Sequence, residues 1–259
     1  MRTHESQVSV AFLLLVSSFF QLGYSQAEKA KGKADPEIRH TVLSLEAIVA
    51  CMEQAWARSR ARCRPYTVIR DYRLFGKERD KAESQVIAEV SFLPPNYKSY
   101  AIRQTNGSGY GAKIIRQVLE KEAQLARDYS SSDISCRNYD FRLIREADVN
   151  GHRCYVLELL PKRQDKNLLL GNACVDAKTY LIHRIEGRPV RDPSWWVRDV
   201  RVALIYGNVG GMWLQTALEA TANIRLLGQY TMVSRDVEYK MKEVAAAKPS
   251  VHGDGKSGS

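Results

Sequence analysis

The spacing of apolar residues divides the chain into an apolar lead, a helix, three strands, a second helix and a long run of alternation. Val8 to Phe20 is apolar apart from Ser9, Ser17 and Ser18. Glu28 to His40 is charged, contains Gly and Pro, and has no apolar period, so it reads as a flexible leader. From Thr41 to Arg62, Leu45, Ile48, Val49, Met52 and Trp56 recur at three- and four-residue spacing. That spacing predicts a helix with one apolar face. The basic run Arg58, Arg60, Arg62 and Arg64 suits the helix C-terminus, and Pro65 blocks its continuation.

The period then drops to two. Over 66–75, Tyr66, Val68, Tyr72 and Leu74 share one face, and Thr67, Asp71 and Arg73 the other. Over 85–93, Val86, Ala88, Val90 and Phe92 alternate with residues that include Glu89 and Ser91. Both predict strands with one buried face. Pro94-Pro95-Asn96 is a turn, and 97–104 a third strand. A loop at 106–111 precedes a second helix over 112–126, with Ile115, Val118, Leu119 and Leu125 on its apolar side. After a Ser-rich linker, strands are expected at 139–146, 152–160, 168–176, 180–187, 197–206, 212–219, 221–227 and 230–239. Asn150-Gly151 is a hairpin signal. Val244 to Ser259 is Ala, Lys, Pro, Gly and Ser with almost no core former, and is expected to be disordered.

About eleven antiparallel strands with two early helices argue for α+β, helices packed on one face of a large curved sheet, and against a doubly wound sheet. The expected organisation is a signal peptide at 1–27, a leader at 28–40, one domain at 41–243 and a tail at 244–259. The signal-peptide reading rests on Arg2, the apolar run, and the small residues Ser25 and Ala27 at a cleavage site after Ala27. A membrane span would need about 20 apolar residues, more than this run supplies. The 259 residues carry a formal charge of +10 and five cysteines. Too few cysteines are present for a disulfide-scaffold miniprotein, and an exported chain tends to pair those it has. Five is odd, so at least one stays free or bonds to another chain. Cys51 and Cys63 are too far apart to bond if both are helical.

Several short segments follow in order: Phe92-Leu93-Pro94-Pro95-Asn96, Asn138-Tyr139-Asp140-Phe141, Cys154-Tyr155-Val156-Leu157-Glu158-Leu159, Pro161-Lys162, Gly171, Val175-Asp176, Arg184-Ile185-Glu186-Gly187, Ser194-Trp195-Trp196 and Gly211-Met212-Trp213-Leu214. Through them the chain, over roughly 41–240, resembles the outer-membrane lipoprotein-sorting family, the LolA-like superfamily of periplasmic lipoprotein carriers. The resemblance implies an unclosed, strongly curved antiparallel barrel, helices over its concave face, and an apolar interior holding acyl chains. It implies a periplasmic, non-enzymatic carrier without a cofactor. Its partners would be acylated lipoproteins or lipids, together with membrane export and acceptor proteins. Two positions depart from the pattern. The arginine that precedes Pro-Asn in the carriers and latches their lid is matched by Pro94. The tryptophan before Val-Asp is Cys174. The first cysteine is Cys51, far from the cleavage point, so no lipid anchor is expected.

The candidate lipid-facing set is the apolar phase of these elements: Val68, Tyr72, Val90, Phe92, Ile115, Leu119, Tyr155, Leu157, Leu159, Val202, Leu204 and Leu214. The same residues would equally make a close-packed core, leaving an envelope structural or interaction module with a filled interior. Trp195 and Trp196 suit either a rim at the barrel mouth or the start of a buried strand. Gly107-Ser108-Gly109-Tyr110-Gly111-Ala112 matches G-x-G-x-x-A. No parallel strand ending in an acid follows it, so a flexible lid hinge or a helix start is preferred to a nucleotide site. His4, His40, His152, His183 and His252 show no paired spacing, so no metal site is expected. His183 shares the phase of Leu181 and Ile185, an inner position. No Gly-x-Ser-x-Gly elbow occurs, so no hydrolase is expected. Cys154 and Cys174 fall opposite each other on one hairpin if Leu160 faces Leu168, which makes a cross-strand disulfide a hypothesis. The positive charge suits anionic head groups or an acidic partner, or is a solvated surface. Nucleic acid is not expected as a partner.

Overall fold

In a computed structural model the described residues are 43–149, 151–193 and 195–241. The expected signal peptide, the whole of the expected leader and the expected tail lie outside them. The described residues form helix α1 (Leu45–Ala61), strands β1 (Tyr66–Phe75), β2 (Ser84–Leu93) and β3 (Tyr97–Gly107), and helix α2 (Gly109–Arg127). Seven strands complete them: β4 (Tyr139–Val149), β5 (His152–Pro161), β6 (Leu169–Asp176), β7 (Ile182–Pro189), β8 (Val197–Val209), β9 (Met212–Ile224) and β10 (Gly228–Met241). A 3₁₀ turn spans Tyr129–Ser131.

All ten of these strands form one antiparallel sheet in the order β3-β2-β1-β10-β9-β8-β7-β6-β5-β4. Its two edges, β3 and β4, do not pair, so the barrel is unclosed. The chain leaves one edge at β3 and re-enters at the opposite edge with β4. The segment between them carries α2, which packs on β1–β3. Register shifts at Ile69/Arg70, Ile87/Ala88, Leu143/Arg145, Cys174/Val175 and Ile205/Tyr206 bend the strands and increase their twist.

Both helices start where a serine can cap them. Ser44 accepts a hydrogen bond from the Ala47 amide at 3.3 Å, and Ser108 from the Gly111 amide at 3.1 Å. The Gly-rich stretch that matched G-x-G-x-x-A is thus the cap and first turn of α2, and the helix starts earlier than its apolar residues alone indicate. The buried face of α2, Ile114, Ile115, Val118 and Leu119, packs on β1–β3 and fills that part of the interior.

The ten strands come close to the expected eleven, and the difference lies in one strand. Residues 212–219 and 221–227 do not make two strands, because β9 runs unbroken through Met212–Ile224. The alternation lapses at Ala220-Thr221-Ala222, all of them buried, yet the pairing with β10 continues through these residues. The turn falls later, before Gly228, whose φ is +91°. The register of the Cys154–Cys174 hairpin also differs. Leu159 faces Gly171, so Cys154 lies opposite Asp176 and Cys174 opposite Val156. The two cysteines are diagonal neighbours and are joined in a disulfide, with Cα atoms 5.6 Å apart. Cys51, Cys63 and Cys136 are free thiols.

Candidate functional site: an apolar cavity beneath two helices

The interior is solid at one end of the sheet and hollow at the other. Val68, Tyr72, Val90, Ile115, Leu119, Leu157 and Leu159 are each no more than 1% exposed. They fill the core and do not line the hollow. Tyr155 is half-buried against that core, stacked on Tyr180 with ring centroids 6.3 Å apart. The alternation places these residues inward as expected, but α2 fills the space above Val68, Tyr72 and Val90 on β1 and β2 with its own side chains. Phe92, Val202, Leu204 and Leu214 do line the cavity. They sit where β2 ends, along β8 and at the start of β9, and share the cavity with Val118 and Leu125 of α2.

The cavity measures about 840 Å³, toward the upper end of the roughly 300–1,000 Å³ typical of ligand pockets. Met52 and Trp56 of α1, and Leu125 of α2, complete its apolar wall together with Tyr66, Tyr206 and Trp213. Trp56 and Met52 belong to the apolar face read from the sequence. Their lining role depends on where α1 docks, which periodicity does not reveal. Burial raises the pKa of the Tyr66 and Tyr206 hydroxyls, and pushes that of Tyr139, also on the wall, up to about 12. These phenols stay neutral, so the aromatic wall carries no anion at neutral pH.

Charge lies along the margin. Arg60, Lys98, Lys121 and Lys166 line the cavity with Glu122 and Asp133. Lys121 has a lowered pKa, first from burial and then from the neighbouring Lys166, against the pull of Asp165. Glu122 is held by Lys98 at 3.1 Å and by Arg70 at 3.0 Å, and accepts from the Tyr72 hydroxyl at 3.2 Å. Arg70 also pairs with Asp236 on β10. This buried network ties α2 to β1, β3 and β10. Burial alone would raise the Glu122 carboxyl. Lys98 and Arg70 outweigh that and bring its pKa below the ordinary value.

The two helical segments meet at Tyr129, just past the end of α2. The Trp56 indole donates to its hydroxyl, and the Arg60 guanidinium stacks 3.5 Å from its ring centroid. Pro94 and Pro95 lie on the cavity wall at the β2–β3 turn. Pro94 offers no charge there, and the Trp56 and Arg60 contacts to Tyr129 come from α1.

Trp195 and Trp196 do not rim this cavity. They precede β8, at the end of that strand remote from the cavity-lining positions, with ring centroids 4.1 Å apart. Trp195 is exposed, and Trp196 lines a separate hollow of about 210 Å³ with Tyr110 and the β9–β10 turn. Loop lengths on both sides set that position, which the pattern of apolar residues does not encode.

The histidines need a second correction. The bulge at Cys174/Val175 breaks strict alternation in β7 and turns His183 away from the core phase of Ile182 and Ile185. It meets His152 and Asp176 on the face of β5–β7 opposite Leu157, Ala173 and Val175. Residues far apart in sequence are thereby brought together, and no local spacing announces it.

No family model matches the sequence, and no curated protein matches it. Among solved structures, the chain is similar to a putative outer membrane lipoprotein-sorting protein domain from Vibrio parahaemolyticus. That match has 12% identity over 77% of this chain and 94% of the other, with a TM-score of 0.45. A DUF1329 family protein from Desulfovibrio piger matches at 14% identity over 78% and 95%, with a TM-score of 0.43. A LolA superfamily protein from Nitrosomonas europaea matches at 13% over 78% and 96%, with a TM-score of 0.37. These are partial overlaps at low identity, and the functional reading rests on this chain's own cavity.

Proposed function

We propose that the chain is an exported, non-enzymatic carrier that holds the acyl chains of lipids or lipoproteins in this cavity, as in outer-membrane lipoprotein sorting. The observation that supports the reading is a hollow of about 840 Å³ in a place where side chains normally close-pack. The filled-interior alternative leaves that hollow without a role. Burial contributes about 0.8 kcal/mol per CH₂, so ten buried methylenes would gain roughly 8 kcal/mol without a directional contact. Such binding is strong enough to hold cargo and non-specific enough to accept different tails. Arg60, Lys121 and Lys166 on the margin suit an anionic head group that stays near water. The Trp56–Arg60–Tyr129 contact serves as the latch that Pro94 cannot supply. The Cys154–Cys174 bond agrees with an oxidising compartment.

The test is saturable uptake of a fluorescent fatty acid by the full chain, compared with Leu204→Trp. Leu204 is half-buried and faces the cavity, so the larger side chain occupies hollow space without displacing core. The variant should keep its far-UV spectrum and bind at least tenfold more weakly. A wild-type chain, stripped of bound lipid, that shows no saturable uptake would contradict the reading.

A further inference from the structure

We propose that His152, Asp176 and His183 form a site for a divalent transition-metal ion, on the face of β5–β7 opposite Leu157, Ala173 and Val175, with Trp213 reaching both His183 and the acyl cavity. The nitrogens His152 Nδ1 and His183 Nε2 each lie 3.6 Å from Asp176 Oδ2. All three ligand atoms fall within 4.8 Å of one another. Ligands at about 2.0–2.2 Å from a tetrahedral ion stand about 3.3–3.6 Å apart, so small rotations of the two rings close the site. At 3.6 Å neither nitrogen makes a proper hydrogen bond to the carboxylate. The three groups thus converge without satisfying one another directly, which is the arrangement a shared cation would complete.

The surroundings hold these groups in place. Asp176 Oδ1 is fully engaged: it accepts from the Lys178 amide at 3.0 Å, the Thr179 amide at 2.7 Å and the Thr179 hydroxyl at 2.8 Å. That fixes the carboxylate and aims Oδ2 at the two imidazoles, the task that outer partners perform in metal sites. The imidazoles lie side by side with centroids 4.4 Å apart. His183 is braced by the edge-on ring of Trp213 at 4.7 Å, and Trp213 is itself anchored by a 2.8 Å hydrogen bond to the Ile182 carbonyl. The Cys154–Cys174 disulfide cross-links β5 and β6 two residues from His152 and from Asp176. The strands that carry two of the three ligands are therefore covalently tied, which lowers the cost of organising the site.

Two imidazoles and one carboxylate favour Zn²⁺, Cu²⁺ or Ni²⁺ over Mg²⁺ and Ca²⁺, which take all-oxygen sets. His152 is 53% exposed while Asp176 is 7% exposed. An ion bound here would be seated in the sheet and open on the His152 side, where water or a donor from another molecule would supply the fourth ligand.

The experiment uses the untagged full chain, stripped with chelator, desalted, and alkylated at its free thiols so that Cys51, Cys63 and Cys136 cannot contribute. Zn²⁺ is titrated by calorimetry, and Co²⁺ by visible absorption as a reporter of coordination. One saturable ion per chain is expected, with the absorption intensity of a four-coordinate Co²⁺ site. His152→Ala and His183→Ala should each weaken binding at least tenfold, whereas His40→Ala and His252→Ala should not. His152 is half in solvent, so its variant keeps the test decisive even if His183→Ala fails to fold. Absence of saturable binding would overturn the proposal, as would binding that survives His152→Ala or that is lost in the His40 or His252 variants.

Discussion

Glu122 is the most informative residue to change. It reaches from α2 to the sheet, where Arg70, Lys98 and Tyr72 all contact its carboxylate. Glu122→Gln preserves shape and removes the charge. Arg70 keeps Asp236, but Lys98 loses its anion, and Arg70 loses one of two. Removing one member of a fully buried pair costs about 3–5 kcal/mol. The side chains here are 5%, 18% and 21% exposed for Arg70, Glu122 and Lys98. That partial access, with Asp236 retained, brings the expected loss down to about 2–3 kcal/mol. At about 2–4 °C per kcal/mol for a chain of this size, the melting temperature should fall by roughly 4–12 °C. The pH dependence has a fixed sign. The folded pKa of Glu122 lies below its ordinary 4.5, so its stabilisation is present above that pH. It is lost as pH falls through the depressed folded value. The gap between wild type and variant should therefore be full at neutral pH and narrow in acid below 4.5. Thermal melts by circular dichroism across this range measure it. Arg103→Ala is the control: it removes an exposed pair with Glu89 and should cost no more than about 1 kcal/mol. A Glu122→Gln melting point within about 1 °C of wild type at neutral pH, or a gap that fails to narrow in acid, would refute the reasoning.

Other expectations follow from the sheet and the lid. In denaturant without reductant, alkylation should modify Cys51, Cys63 and Cys136 alone, with Cys154 and Cys174 added only after reduction; five modified thiols before reduction would sink the disulfide. Replacing both bonded cysteines by alanine opens a loop of sequence separation 20 and should cost about 3 kcal/mol by the chain-entropy argument, read from denaturant melts. Gly171→Ala would drive a methyl group into the Glu186 carbonyl and the Gly187 backbone on β7, at a cost of about 3 kcal/mol or more. Gly109→Ala, with nothing near its added Cβ, should stay within about 1 kcal/mol of wild type. Tyr129→Phe removes the acceptor of the Trp56 indole and should speed release of a bound fatty acid in stopped-flow displacement; an unchanged rate would remove the latch.

The strands were legible because one buried face imposes a period of two, and β1 and β2 follow it closely. Alternation became ambiguous where small residues take both faces, as at Ala220-Thr221-Ala222, and there one strand read as two. The cavity was half legible. Val68 and Leu204 carry the same signal, an apolar residue on the inner phase. Only the docking of α2 over Val68, and not over Leu204, separates core from hollow. The cysteine pair followed from its hairpin, whereas its diagonal geometry depended on where the 162–168 connection places the first residue of β6. The His152–Asp176–His183 cluster had no local signal, since three strands and a bulge are needed to assemble it. The Trp195–Trp196 pair shows the converse: conspicuous residues whose position is set by loop length.

Acyl binding is tested most directly by native mass spectrometry of the chain expressed with its apolar lead and collected from an extracytoplasmic fraction. The account expects a mass above that of the bare polypeptide, shed on delipidation as free acyl species and regained when the stripped chain is offered fatty acid. A bare mass on isolation, unchanged after exposure to fatty acid or phospholipid, would mean that the hollow under the two helices is not a lipid site.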